Sequence, residues 1–262
     1  MPSDSTQGSR FANLRAAKTE EVEKRLAQLE ARLQGIKADK KPLIFLGLCL
    51  SESNAGQILD AEFRPPIRRG DLSAAIDEGY RWIGIIDGVF HHQYTVSLVE
   101  IQNAIRLGAR LYGSSSMGAL RAAEAYPLGM IGVGTIYKWY RKEFIDSDDE
   151  VAIAFDEKQN RALSEPLVNI RATLDAAEHN GLLDVSGKQT VLEVAEAMHY
   201  PQRTYAGILA ALTGCFPAER CAALARFFKE QAVDLKALDA VELLRRIKND
   251  YEQRREPRAL HD

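Results

Sequence analysis

Cysteine is scarce in this chain: there are three in 262 residues, Cys49, Cys215 and Cys221, with no CxxC pair. That excludes a disulfide framework and a cysteine-rich zinc site, and leaves reduced, mostly buried thiols. No apolar run approaches the roughly 18 residues that span a bilayer. The leading MPSDSTQGSRFANLR lacks the basic-then-apolar layout of a secretion signal. The expected location is the cytoplasm, with no membrane partner. Positive charge is not in excess either, since 34 Lys and Arg face 37 Asp and Glu for a net charge of -3. Nucleic acid is therefore not an expected partner. What is present, 46% hydrophobic and 27% charged residues, is the composition of a folded chain able to bury one large core.

Residues 1 to 17 read as a polar lead. From Lys18, Val22, Leu26, Leu29, Leu33 and Ile36 alternate steps of four and three with charges between them, a heptad seam. Such a helix either lies on its own domain or forms the arm of a homodimer. After the linker KADKK, three buried strands are expected: Leu43 to Leu48, Trp82 to Gly88, closing on an acid and a glycine, and Ala109 to Gly113. Helices follow each, one capped by Ser51, one opened by Gly70 with Asp71 as its cap, one ending at Gly108 and one from Met117 to Ala125. Alternating strands and helices imply an α/β fold with a mostly parallel sheet in a three-layer, Rossmann-like core. From Glu165 onward almost only helix is expected. The resulting organisation is 1–40 lead and heptad helix, 41–160 α/β core, and 161–262 helical extension.

In such a sheet, ligands bind beyond the carboxyl ends of the strands, where Cys49, Ser51, Asp87, His91 and Ser116 would gather. Ser116-Met117-Gly118 follows a strand and opens a helix, which is either a nucleophile elbow in outline or a plain helix cap. Its departure from GxSxG is that Ser114 stands two residues before Ser116, with glycine at 113. A serine nucleophile needs a base, and His91, His92 and Lys138 are the candidates. Arg64, Arg68 and Arg69 with Asp71, around the rigid Pro65-Pro66, make a candidate clamp for a carboxylate-bearing chain end. Asp146, Asp148, Asp149 and Glu150 either bind Mg²⁺ or form a solvated face. Gly129 to Gly134 does not have the GxGxxG frame, so no dinucleotide is expected.

The segments RPPIRRGDL, IDGVFHH, YGSSSMGALRAAE, GMIGVGTIYKWY and DDEVAIAF, in this order and spacing, resemble the TfuA-like core domain over about Leu43 to Phe155. The resemblance implies a partner of YcaO enzymes, which activate a peptide backbone amide with ATP so that sulfur replaces its oxygen. It also implies that the protein hydrolyses the C-terminal thiocarboxylate of a ThiS-type sulfur carrier through a serine and a lysine. A precursor peptide would be met through YcaO, and no cofactor or metal is implied. Carried onto this chain, Ser116 and Lys138 are the catalytic pair, and Arg64, Arg68, Arg69, Asp71, Asp87, His91, Ser115 and Arg121 face the substrate. Where family members often read GPSL or GPTL, this chain has Gly47-Leu48-Cys49-Leu50, and Val99 stands where a lysine is common. The other reading is a non-catalytic adaptor that docks YcaO and its peptide.

Overall fold

The apolar run after the linker forms β1 (Leu43–Phe45), and all of it is buried, because it is paired on both edges and covered on both faces. The computed structural model describes residue 24 and residues 40–89, 94–156 and 161–255. The heptad segment and Phe90 to Gln93, with His91 and His92, lie outside the described residues.

β2 (Glu62–Arg64), β3 (Trp82–Ile85), β4 (Arg110–Gly113) and β5 (Ile131–Gly132) join β1 in a five-stranded sheet ordered β2-β1-β3-β4-β5, parallel throughout. Parallel neighbours need crossovers. These are α1 (Glu52–Ile58), α2 (Asp71–Asp77), α3 (Leu98–Arg106) and α4 (Met117–Glu124). The expected α/β core is what forms. Ser51 caps α1 by accepting the Asn54 N–H, and Ser97 and Glu100 close a capping box on α3. Asp71, by contrast, is the first residue of α2 and not its cap. Gly70 takes the cap position at φ 95°, and the Asp71 carboxylate turns back to accept the Arg68 N–H at 2.8 Å. The edge strands β2 and β5 were not expected as strands, since one runs into Pro65-Pro66 and the other has two residues.

After α5 (Thr135–Arg141) and the antiparallel hairpin β6 (Phe155–Asp156) and β7 (Arg161–Ala162), the chain is helical: α6 (Leu167–His179), α7 (Val185–Ala197), α8 (Tyr205–Ala211), α9 (Ala218–Gln231) and α10 (Leu235–Arg255). Helices α6 to α9 share a core of their own around Ile170, Leu174, Val191, Ile208 and Leu224. Helix α10 instead returns to the sheet. Its Leu243, Leu244 and Ile247, all fully buried, pack with Ile44, Trp82 and Tyr112, while α2 and α3 cover the opposite face. Each such side chain contributes roughly 1.5–3 kcal/mol. Gly84 makes the approach possible, because a Cβ there would meet Ile247 Cδ1 at 2.8 Å. The Tyr112 hydroxyl donates to Asp250 at 2.8 Å, and Trp82 meets Tyr251 edge-on at 5.5 Å. Among the described residues no helix is long and apolar enough to cross a membrane.

The chain leaves β1 toward β2 and then crosses back to β3. The connections after β1 and β3 therefore run to opposite sides of the sheet, and the carboxyl edge between them is where such sheets place a ligand.

Candidate active site

The turn after β4 is as tight as its glycines allow. A Cβ at Gly113 would lie 2.2 Å from Gly118 O, and one at Gly118 would lie 1.8 Å from Ile85 O. Only glycine lets the first turn of α4 seat against β3 and β4, where the Gly118 N–H donates to Ile86 O at 3.2 Å. Between them, Ser114, Ser115 and Ser116 are all buried. Ser115 has φ 66°, a left-handed conformation that costs a non-glycine residue about 1–2 kcal/mol. The Ser114 hydroxyl donates to Asp239 O at 2.9 Å and the Ser115 hydroxyl to Lys236 O at 2.8 Å. Two of the three serines are thus tied to α10. Ser116 holds the N-cap position of α4 without a side-chain cap bond, so plain capping does not account for it.

Asp87, just past β3, binds the loop after β1. Its Oδ2 accepts the N–H groups of Gly47 at 2.8 Å and Cys49 at 3.3 Å, and its Oδ1 accepts the Cys49 thiol at 2.8 Å. Ser115 Oγ lies 3.2 Å from Cys49 Sγ. A chain of polar contacts therefore runs through the ends of β1, β3 and β4. Burial, and next the negative charge of Asp87, push the Cys49 thiol well above its ordinary range, opposed by the nearby charge of Lys236. Cys49 is a thiol hydrogen-bond bridge here, not a thiolate nucleophile.

Lys236 and Asp239 complete the cluster from the first turn of α10, which Asp234 caps by accepting the Ala237 N–H at 3.0 Å. Lysine is almost never fully buried without a partner. Lys236 is 4% exposed, and its Nζ donates to Val151 O at 2.9 Å. Asp239, 2% exposed, accepts the N–H groups of Thr135 at 2.9 Å and Ile136 at 2.7 Å. Burial raises its carboxyl to about 6, against the pull of those two amides.

The other expected site residues are dispersed. The Arg64 guanidinium pairs with Glu62 and Glu78 over the Tyr80 ring, so it is neutralised within the fold. Arg68 and Arg69 are exposed, and the Arg69 N–H donates to Tyr94 O at 2.6 Å. Arg121 pairs with Glu124 one turn along α4. Ser51 serves α1 as a cap, and Lys138 is exposed on α5. The acidic run does not gather a metal. Glu150 is buried against Arg171 at 2.7 Å, and Asp149 binds the buried Arg203 at 2.5 Å. Among the described residues no group of three or more potential ligand side chains could hold a metal ion.

Sequence reasoning passed over Lys236 and Asp239. A signal existed, because both stand on the stripe that continues as Ala240, Leu243 and Ile247. A lysine and an aspartate on the apolar face of a helix are where a buried polar site would show.

The family model described as TfuA-like protein matches residues 87–204. No curated protein matches the chain. The match bears out the resemblance seen in the sequence, over the serine turn and the glycine-rich segment. It also shifts its limits: it starts at Asp87, after RPPIRRGDL, and runs past Phe155 into α6 and α7, which had been placed outside. It stops before α10.

Proposed function

We propose that this TfuA-like protein hydrolyses the thiocarboxylate at the tail of a ThiS-type sulfur carrier and supplies the sulfide to a YcaO enzyme for peptide backbone thioamidation. The observation that carries this reading is Ser116, which sits at a strand-to-helix turn without a side-chain cap bond, while the backbone of a buried lysine, Lys236, accepts the hydroxyl of the neighbouring Ser115. In this scheme Ser116 Oγ attacks the thiocarboxylate carbon as the Lys236 amine accepts its proton. The C–S bond then breaks, sulfide leaves with that proton, and an acyl-serine ester remains. Water, deprotonated by the same amine, hydrolyses the ester to a carboxylate and restores the serine. The N-terminal end of α4 carries partial positive charge toward the developing oxyanion. Lys236 takes the part the sequence suggested for Lys138. Ser116 is 2% exposed, which favours a slender chain terminus over a bulky ester.

The test is intact-mass analysis of a thiocarboxylated carrier incubated with wild type, Ser116→Ala and Lys236→Met. Conversion to the carboxylate by wild type alone supports the reading. Absence of conversion by wild type with the cognate YcaO bound would favour an adaptor. The deep burial of the serine turn is what keeps that second reading in play.

A further inference from the structure

Asp239 joins three segments that are distant in sequence. Its two carboxylate oxygens each accept one backbone N–H, from Thr135 and Ile136 at the start of α5. Its own carbonyl accepts the Ser114 hydroxyl. Gly134 has φ 95°, and a Cβ there would lie 2.4 Å from Asp239 Cγ, so the glycine is what lets the carboxylate reach the helix. One turn earlier on the same helix, Lys236 O accepts the Ser115 hydroxyl.

We propose that Asp239 is a positioning residue for the serine site: its ionised carboxylate clamps α5 to the first turn of α10 and so holds the acceptors that orient Ser114 and Ser115. Protonation turns one oxygen into a donor, and either the part-buried Thr135 amide or the buried Ile136 amide then loses its acceptor. The clamp loosens while the fold stays intact, because burying a neutral acid costs less than burying its anion. The charged groups that face the carboxyl are Glu242 on its own helix, which opposes ionisation, and Lys138 on α5, which favours it; Ser114, from the turn after β4, is neutral. With burial as the leading cause, the carboxyl titrates at about 6, inside the range a cell or an assay can reach. The catalytic half of this inference rests on the hydrolase reading above, and the structural half does not.

Two readouts on the full chain separate these halves. The first is hydrogen–deuterium exchange of the segment holding Thr135 and Ile136 across pH, corrected for intrinsic exchange, in wild type and Asp239→Asn. The second is sulfide release from a thiocarboxylated carrier across the same range. Wild type is expected to lose protection at Thr135 and Ile136 several-fold on acidification, with sulfide release falling at the same midpoint. Asp239→Asn should show neither step and should release sulfide slowly at every pH through kcat, not KM. Protection independent of pH in wild type, or a wild-type pH profile in Asp239→Asn, would overturn the clamp. If wild type releases no sulfide at any pH, the hydrolase reading fails and the exchange data still decide the clamp. Should Asp239→Asn not fold, two exposed neighbours take its place: Lys138→Gln should move the exchange midpoint up and Glu242→Gln should move it down. An unmoved midpoint in both counts against the proposal.

Discussion

The Ser115 hydroxyl donates to the Lys236 carbonyl at 2.8 Å across 121 residues of sequence. This bond ties the turn after β4 to the first turn of α10, so the site is assembled from parts that only the folded sheet brings together.

The three serines of that turn should not respond alike. Ser116→Ala is expected to lower sulfide release by about 10³-fold or more with little change in melting temperature, since Ser116 makes no cap bond. Ser115→Ala keeps the strained φ and loses a buried hydrogen bond, at about 1–2 kcal/mol of stability. Ser115→Gly relieves the strain and should recover part of that loss. Urea unfolding and single-turnover kinetics, run side by side, check all three. A Ser116→Ala protein with full activity would remove it as the nucleophile.

Lys236→Met replaces a buried side chain that ends in nitrogen by an apolar chain of similar length. Its hydrogen bond to Val151 O is lost, but so is the cost of burying a polar nitrogen, so stability should change by less than about 1.5 kcal/mol. Activity should disappear. If Lys138→Ala abolishes sulfide release and Lys236→Met does not, the base is the exposed lysine after all.

Acid should act on Asp239 in a definite direction. Its carboxyl is raised in the folded protein from 3.8 to about 6. A raised carboxyl contributes stability that is fully present below the unfolded value and is lost as pH rises through the folded one. Wild type should therefore become less stable relative to Asp239→Asn, by up to about 2–3 kcal/mol, as pH rises from about 4 to 7. Urea midpoints of both proteins at several pH values test this, and a difference that is flat across the range refutes it.

Arg203 is the cation on which the helical part depends. It is 1% exposed, and besides Asp149 it donates to the carbonyls of Ala195 at 3.0 Å and Met198 at 2.9 Å. Arg203→Ala leaves the Ala195 and Met198 carbonyls without this donor inside the fold, while the more exposed Asp149 turns to water, for a loss of roughly 2–3 kcal/mol. Thermal unfolding measures it. A shift of only a degree or two would mean that water replaces the guanidinium.

At Gly118 a methyl group would fall 1.8 Å from Ile85 O. Gly118→Ala is expected to displace α4, abolish activity and lower stability by several kcal/mol, on the scale of overpacking a rigid backbone contact. A near-native melting curve would show that the helix can move away without harm.

Much of this was legible in the chain itself. Ser51 announces a helix start because a hydroxyl acceptor beside unsatisfied N–H groups is a local matter. The buried strands at 43, 82 and 110 announce themselves as apolar runs too short for helices. Ser116 could be singled out because strand, turn and helix are adjacent in sequence. Arg64 misled for the opposite reason: its pairing with Glu78 depends on where α2 ends against β2, which no local pattern contains.

Sequence alone thus determined the α/β alternation, the serine turn and the helical character of the C-terminal part, all of which follow from hydrogen bonding and hydrophobic periodicity within a few turns of chain. Tertiary structure alone decided that α10 lies on the sheet and that Lys236 and Asp239 reach Ser115, Cys49 and α5. Those contacts come from burying Leu243, Leu244 and Ile247 against β3 and its neighbours. The hydrophobic effect that drives this packing is non-directional, so periodicity shows which face is buried but not what it is buried against.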